Sequence, residues 1–402
     1  MMNWLRFGAG RAPSRVPAAA APAPAAEAKA SRTAALIALS PGGRPVWTPR
    51  DYGALAREGF QKNPVVYRAV RMIAEAAASV PWLVYEGEHE IADHPLLTLL
   101  ARPGPVEAGA SLMEAVYGHL MVAGNAYLEA VSLDGTVREL HALRPDRMKV
   151  VPGPDGWPAA FEYSVGGRSV RLPAEAETGG VRPVLHLKLF HATDDHYGFA
   201  PIEAALTSLD IHNAAGAWAK ALLDNSARPS GALVYTGGEG GNLSDEQFDR
   251  LKRELEEGFS GARNAGRPLL LEGGLDWRTM SLSPREMDFV EAKNLAAREI
   301  ALAFGVPPML LGIPGDNTYA NYQEANRAFW RQTVLPLVAR TAAALSAWLA
   351  PGEPALRLGF DTDAVEALSA EREALWRRVG AAGFITEDEK RAAVGYGPRT
   401  GG

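Results

Sequence analysis

A long helical pattern in the C-terminal half constrains this chain more than any other feature of its sequence. It runs from about Tyr319 to Leu349 and would span roughly 46 Å at 1.5 Å per residue. Pro336 lies inside the pattern. Because proline lacks the amide hydrogen that an inner helical turn needs, the helix should kink or split in two there. The sequence therefore predicts a long, interrupted helix.

Composition places the chain among ordinary globular proteins. Its 402 residues suggest two to three domains at about 150 residues each, and 47% are hydrophobic. Cysteine is absent, which excludes disulfides, thiolate metal sites and cysteine nucleophiles. The longest apolar stretch, Leu335–Ala350, contains Arg340 and is shorter than the ~20 residues of a membrane span. The start of the chain has no compact apolar core behind a basic segment, so neither a membrane contact nor a secretory signal is expected.

Charge is distributed unevenly along the chain. Residues 1–72 hold 11 Lys and Arg against 3 Asp and Glu, whereas the whole chain has a net charge of −6. Residues 12–30 form an Ala/Pro tract in which four prolines prevent a continuous helix. Residues 1–45 are therefore predicted to be a disordered basic arm on an acidic body. A basic arm on an acidic body suggests two kinds of surface contact, unless the arm is only a solvated tail.

The sequence of the first half of the chain predicts an α+β region that begins with a capped helix. Asn63 is a good N-cap, Pro64 fits the first helical turn, and Pro81 ends the helix. A capping-box sequence at Ser111 should open a second helix that ends at Gly124. Tight turns then separate short strand patterns, which favours an antiparallel sheet. The strands are predicted at Ala126–Ser132, Val137–Leu143, Met148–Val151, Phe161–Val165, Ser169–Leu172 and Val184–Phe190.

The sequence of the second half of the chain predicts a small β-α-β unit with one long helix before it and one after it. Pro201–Asn225 reads as one helix whose apolar stripe changes face midway, so it should touch different neighbours along its length. The β-α-β unit has a strand at Ala232–Thr236, a helix capped by Ser244, and strands at Pro268–Leu271 and Trp277–Leu282. Met287–Phe304 is the second long helix. A Pro/Gly-rich loop precedes the helix at Tyr319, and further helices are expected from Asp363 to about Ala381 and after Thr386.

No convincing active site is visible. His186, His191 and His196 are spaced five residues apart, which suits neither one helix face nor one strand face, and no His-Glu-x-x-His is present. The chain has no phosphate-loop sequence and no Gly-x-Ser-x-Gly elbow. Strand-end polarity explains the three histidines equally well. We therefore predict no catalytic residue, no bound metal and no cofactor.

Several motifs, taken in order, resemble the portal proteins of tailed bacteriophages and gene transfer agents. They lie across about residues 60–350, and the block at 306–312 is the most specific. They are Asn63-Pro64-Val65-Val66-Tyr67, Pro81-Trp82, Gly124-Asn125-Ala126-Tyr127, His186 at a strand end, Gly198-Phe199-Ala200-Pro201-Ile202, Pro229-Ser230-Gly231, Val306-Pro307-Pro308-Met309-Leu310-Leu311-Gly312 and Thr318-Tyr319-Ala320-Asn321.

The resemblance implies a structural protein that forms a dodecameric ring, with head-to-tail interfaces, around a channel for double-stranded DNA at one capsid vertex. Its partners would be the major capsid protein, the large terminase and a head–tail adaptor. It would be assembled in the bacterial cytoplasm and have no catalytic activity. The implied divisions are a wing at 46–198, stem helices at 199–226 and 284–304, a clip at 227–283, a tunnel loop at 305–321, a long kinked wing helix at 322–360 and a helical crown at 361–402.

Two sets of site residues follow from the same resemblance. The tunnel loop would face DNA through Asp316, Asn317, Thr318, Tyr319 and Asn321. The clip would meet the terminase and the adaptor through Glu239, Arg263, Asn264 and Arg267. Residues 227–283 carry 7 Lys and Arg and 9 Asp and Glu. A weakly acidic wall would let DNA slide, because each neutralised phosphate strengthens binding.

One alternative comes from a different class of protein. A metal-assisted hydrolase could use Asp194 and Asp195 with His191 and His196, which lie close together in the sequence. Such an enzyme would not need a large ring. The mass of the protein in solution therefore separates the two hypotheses.

Overall fold

The computed structural model describes residues 47–176, 180–224, 231–235, 244, 246–247, 249–251, 253, 275–279, 288–315 and 318–396. The predicted basic arm, the strand at Pro268–Leu271 and most of the clip lie outside these residues.

The elements of the first half are α1 (Tyr52–Ala54), a π-helical segment (Leu55–Gln61), α2 (Pro64–Ala78), β1 (Trp82–Glu86), β2 (His89–Ile91), α3 (Pro95–Ala101), α4 (Gly109–Ala123), β3 (Asn125–Leu133), β4 (Thr136–Leu143), β5 (Met148–Pro152), β6 (Pro158–Val165), β7 (Arg168–Pro173) and β8 (Val184–Lys188).

Helix α2 begins where the sequence predicts. The Asn63 side chain accepts hydrogen bonds from the amides of Val65 and Val66, and Pro64 occupies the first turn. Helix α4 begins at Gly109, two residues before the predicted cap at Ser111, so that prediction was wrong in position. Ala108 has the extended backbone of the N-cap, and no side chain caps it. The predicted end at Gly124 is confirmed, because Gly124 has φ 68°.

Two three-stranded antiparallel sheets follow, in the orders β4-β3-β8 and β5-β6-β7. Asp134 and Gly135 make the β3–β4 turn with φ of 51° and 75°, and Gly166 and Gly167 make the β6–β7 turn with φ of 57° and 78°. Strand β8 returns beside β3, which places His186 opposite Tyr127. The predicted short antiparallel strands are therefore confirmed, although β6 begins three residues earlier than expected.

The second half contains α5 (Pro201–Ala204), α6 (Leu206–Asp224), β9 (Gly231–Tyr235), β10 (Leu275–Thr279) and α7 (Phe289–Ala303). The prediction of one continuous helix over Pro201–Asn225 was wrong. Ala205 has φ −94° and ψ 6°, which separates α5 from α6. Strands β9 and β10 pair antiparallel. Ser244 and Gln247 form the predicted capping box, with an amide–side-chain hydrogen bond in each direction.

The long helical pattern forms three consecutive pieces: α8 (Tyr319–Phe329), a π-helical segment (Trp330–Val334) and α9 (Leu335–Leu349). Pro336 lies in the first turn of α9. The predicted interruption is thus confirmed, and it takes the form of a π-helical segment directly before the proline, where the amide of Leu335 bonds to the carbonyl of Trp330.

The C-terminal region contains β11 (Leu356–Phe360), α10 (Ser369–Gly380) and α11 (Glu387–Ala393). Strand β11 pairs antiparallel with β1, with Trp82 opposite Phe360. The helix predicted from Asp363 begins only at Ser369, because a 3₁₀ turn at Glu366–Leu368 comes first. Thr386 caps α11 in a box with Glu389, as predicted.

One large core joins the two halves of the described chain. Helices α2, α4 and α9, the face of β3, and the junction of α5 with α6 contribute buried apolar side chains to it. Trp348 and Tyr117 are among its largest fully buried members. A second, smaller cluster lies between the two sheets around Phe161. Among the helices described, none is long and apolar enough to cross a membrane.

Candidate functional site

Three motifs that are far apart in the sequence meet at one point. Gly124 and Asn125 connect α4 to β3, His186 lies on β8, and Gly198 precedes α5. The Asn125 side-chain oxygen accepts hydrogen bonds from the Gly198 amide at 2.8 Å and, in the assigned tautomer, from His186 Nε2 at 2.9 Å. Its amide nitrogen donates to the Ala123 carbonyl at 2.7 Å. One buried amide therefore fixes the end of a helix, two strands and the entry to α5.

His186 acts as a packed ring in this cluster. It stacks on Tyr127 with ring centroids 4.3 Å apart and meets Phe161 edge-on at 5.8 Å. Burial, with smaller effects from Lys188 and His196, lowers the pKa of His186 to about 3. The imidazole is therefore neutral at pH 7, and its Nε2 is already used by Asn125.

A second polar cluster joins α2 to α6. The Asn63 amide nitrogen donates to His212 Nδ1 at 3.1 Å, in the assigned tautomer, and to Asn213 Oδ1 at 3.0 Å. Asn213 in turn donates to the Glu58 carbonyl at 2.8 Å. Asn63 is 1% exposed and also caps α2. Sequence analysis identified the cap but not the contact with α6.

Three further hydrogen bonds hold α6. Asp210 accepts from the Thr48 amide at 3.0 Å and from the Thr48 hydroxyl at 2.5 Å, so the start of the described chain is fixed to this helix. Ser208 donates to Glu299 of α7 at 2.5 Å. Residues 208–213 of α6 are therefore bonded to three other parts of the chain.

The predicted DNA-facing residues fall at the start of α8. Asp316 and Asn317 lie outside the described residues. Thr318 is the N-cap of α8 and accepts from the Asn321 amide at 3.2 Å. Tyr319 and Asn321 belong to the first helical turn and not to the loop. Tyr319 is 78% exposed.

The loop before α8 is tied down at two points. The Arg298 guanidinium on α7 donates to the Pro314 carbonyl. Thr333, in the π-helical segment, donates to the Gly305 carbonyl at 2.6 Å. The segment from 308 to 311 is a 3₁₀ turn. The predicted clip residues Glu239, Arg263, Asn264 and Arg267 lie outside the described part of the chain.

The Asp194 cluster forms a turn. Asp194 Oδ1 accepts from the amides of His196 at 2.7 Å and Tyr197 at 2.9 Å, and the Tyr197 amide is the main cause of the lowered pKa of Asp194. His191 Nδ1 accepts from the Thr193 amide at 3.1 Å. Over the described residues, no three His, Cys, Asp or Glu side chains are grouped as metal ligands. The geometry thus gives Asp194 and His191 local structural partners.

A mostly apolar surface groove of about 330 Å³ lies between the π-helical segment at Leu55–Gln61, α2 and α4. Tyr52, Phe60 and Gly118 line it, and His119 forms part of its wall. Burial lowers the pKa of His119 to about 4, with a smaller effect from Arg144. The Tyr52 hydroxyl is 3.4 Å from His119 Nδ1. Sequence analysis missed this groove, because its walls come from three segments that carry no shared motif.

Comparison with known proteins gives consistent matches over most of the chain. A model of the family described as phage portal protein matches residues 64–395. The probable portal protein of Streptomyces phage phiC31 is 28% identical over 384 residues, covering 88% of this chain and 81% of that protein.

Two solved structures of particle necks also match. One, from an empty gene transfer agent particle with C6 symmetry, is 55% identical, with a TM-score of 0.68, and covers 90% of this chain and 98% of the other. Another, from a native particle with C12 symmetry, is also 55% identical, with a TM-score of 0.66, and covers 92% of this chain and 100% of the other.

Proposed function

Because this chain belongs to the phage portal protein family, we propose that twelve copies of it form a ring at one capsid vertex, through which double-stranded DNA is packaged and ejected. The observation that carries the proposal is the match to the C12 neck structure at 55% identity over 92% of this chain. Closed rings arise from head-to-tail contacts when the rotation between neighbouring copies closes.

The division into functional parts is also a proposal. Residues 46–198 form the wing, 199–226 and 284–304 the stem, 227–283 the clip and 361–402 the crown. Two facts support the stem assignment: α6 and α7 lie side by side, and a strand pair separates them along the chain. The long kinked wing helix proposed at 322–360 corresponds to α8, the π-helical segment and α9, followed by β11.

We assign DNA contact to the segment around Thr318 and Tyr319. Hydroxyl and amide groups there can hydrogen-bond phosphate or sugar without the strong charge that would stop DNA from sliding. Tyr319 is exposed, and the loop that precedes it is anchored by Arg298. A ring would repeat these weak contacts once in every copy.

The proposed partners are the major capsid protein at the wing, and the large terminase and head–tail adaptor at the clip. The ATPase that drives DNA packaging is then a separate polypeptide. This chain supplies the passage for the DNA and the surface on which the terminase and the adaptor dock. No catalytic step is assigned to it.

Imaging and mass measurement test the ring. We expect the purified protein to show rings with a central hole by negative-stain microscopy, and a mass near twelve times 42.9 kDa by light scattering. A protein that stays monomeric or dimeric across concentration and salt would contradict the proposal.

A further inference from the structure

The end of α8 that carries the proposed DNA contact buries none of its own side chains. Every residue from Thr318 to Glu324 is exposed. Burial begins further along the helix, with Ala325 half-buried and Phe329 only 2% exposed. The exposed part is about 10 Å of helix. Because helices in proteins are stabilised mainly by the packing of one face, the position of this end depends on the segment that precedes it.

The preceding segment is attached to helix α7. Ile313 is buried in a small apolar cluster with Ala297 and Ala301, which are four residues apart and so lie on one face of α7. At the beginning of the segment, the Val306 amide donates a hydrogen bond to the Ala301 carbonyl at 2.9 Å. Residues 306 and 313 are therefore both fixed to the same turn of the helix that we propose as part of the stem.

Arg298 extends this attachment towards α8. Its guanidinium donates a hydrogen bond to the Pro314 carbonyl, and a Cβ atom on Gly315 would lie only 3.0 Å from its Nη2. A cleft of about 220 Å³ is lined by Arg298, Met309 and Pro314, so apolar packing between α7 and this part of the segment is incomplete. The hydrogen bond from Arg298 therefore holds Pro314 where packing does not.

We propose that Arg298 is a positioning residue for the DNA contact: it holds Pro314 against α7 and thereby sets how Thr318 and Tyr319 are presented to DNA. The inference rests on the proposed function, which assigns DNA contact to these two residues. Thr318 is four residues after Pro314, so the anchored carbonyl keeps it within about 14 Å. Ile313 is the second anchor of the same segment. The stem helix, and not α8 alone, then fixes the contact.

A spin label tests the positioning without DNA. Because the natural chain has no cysteine, Tyr319→Cys carries a nitroxide at that position alone. Adding Arg298→Gln should raise the mobile fraction of the label about three-fold, since the anchor is exposed and its contribution is modest. Ile313→Ala should raise it as well, and Arg298→Lys, which keeps a donor, should fall between wild type and Arg298→Gln. The matched control is Arg340→Gln, at an exposed arginine of α9, which should change nothing.

Photo-cross-linking in DNA-filled particles tests the consequence for DNA. Benzoylphenylalanine replaces Tyr319, and the yield of protein–DNA cross-links is measured after irradiation. Arg298→Gln and Ile313→Ala should each lower the yield about three-fold, and Arg340→Gln should leave it unchanged. Ile313 has no group that binds phosphate, so a loss in both variants identifies positioning. Circular dichroism and negative-stain images check that every variant folds and forms rings.

The outcomes separate the anchor from the DNA contact itself. Unchanged mobility of the label in Arg298→Gln overturns the inference, whatever the DNA measurement gives. A loss of cross-links in Arg298→Gln but not in Ile313→Ala also overturns it, because Arg298 would then contact DNA directly. If the probe at position 319 does not cross-link to DNA in otherwise wild-type particles, the proposed DNA contact is overturned, and the positioning role with it.

Discussion

Gly124 and Gly198 cross so closely that neither position has room for a side chain. A Cβ atom on Gly124 would lie 2.5 Å from the Gly198 carbonyl oxygen, and one on Gly198 would strike the Gly124 carbonyl oxygen. Both contacts are with backbone, which cannot rotate away. The crossing holds the end of α4 against the segment that leads into α5, next to the Asn125 amide.

Gly198→Ala should be strongly destabilising. We expect a loss of about 3 kcal/mol in the free energy of unfolding, because the backbone at the crossing must shift. The control is Gly87→Ala: Gly87 has φ 60° but open space around it, so only backbone strain of about 1 kcal/mol is added. Urea unfolding followed by circular dichroism measures both, and equal losses would contradict the steric argument.

Asn63→Ala should lower the free energy of unfolding by about 3 kcal/mol. It removes the α2 cap and leaves buried His212 and partly buried Asn213 without their donor. Asn63→Ser keeps a cap acceptor but is too short to reach α6, so we expect about half that loss. Hydrogen exchange should show faster opening at the start of α6 in both variants. A Ser variant as stable as wild type would show that the bonds to α6 contribute nothing.

Stability should fall as the pH drops below about 6.5. The folded-state pKa values of His186 and His119, about 3 and about 4, lie below the ordinary value of 6.5, so the unfolded chain binds more protons in this range. The slope is at most about 1.4 kcal/mol per pH unit for each histidine, and the loss levels off below the folded pKa values. His119→Asn should reduce the slope. His89→Asn, at an exposed position, is the control, and an unchanged slope in His119→Asn would contradict the assignment.

His191→Asn and His196→Asn should leave assembly and DNA content unchanged, because these side chains have only local partners. His186→Asn should behave differently from both, since it removes the stack on Tyr127. We expect a thermal midpoint several degrees lower for His186→Asn alone. Loss of DNA packaging in a folded, ring-forming His191→Asn variant would instead favour the metal-site hypothesis.

Replacing residues 314–317 with a Gly/Ser link should preserve rings and reduce packaged DNA. The replacement keeps Thr318, so the cap of α8 is intact. Arg298→Gln is a milder version that loosens the loop through Pro314 without altering its sequence. DNA content per particle is the measurement. Particles filled to the wild-type level would show that the loop has no role in handling DNA.

Sequence patterns predicted the elements that depend on local chemistry. Asn63 and Thr386 cap helices where expected, Gly124 ends one, and Asp134-Gly135 makes a hairpin. The order of motifs was enough to predict the family.

Contacts between distant segments could not be predicted in the same way. Strands β1 and β11 are separated by most of the chain, so nothing in either sequence identifies the other as its partner. The helical pattern is interrupted at Ala205, where no proline or glycine indicates an interruption. The second role of Asn63 depends on where α6 lies, which the local sequence around residue 63 does not encode.

Residues 208–213 are the part of α6 that other segments hold in place, so a tilt of the helix pair would pivot there. Thr48, Asn63 and the Glu58 carbonyl all form hydrogen bonds with this stretch. A hydrogen bond at one end of the pair and a ring contact at the other couple α6 to α7. From Asn213 to Asp224 the helix extends about 16 Å further, so a tilt of about 10° at the grip moves its far end by about 3 Å. In the proposed ring of twelve copies, such a tilt in every copy would change the aperture at the far end of the proposed stem.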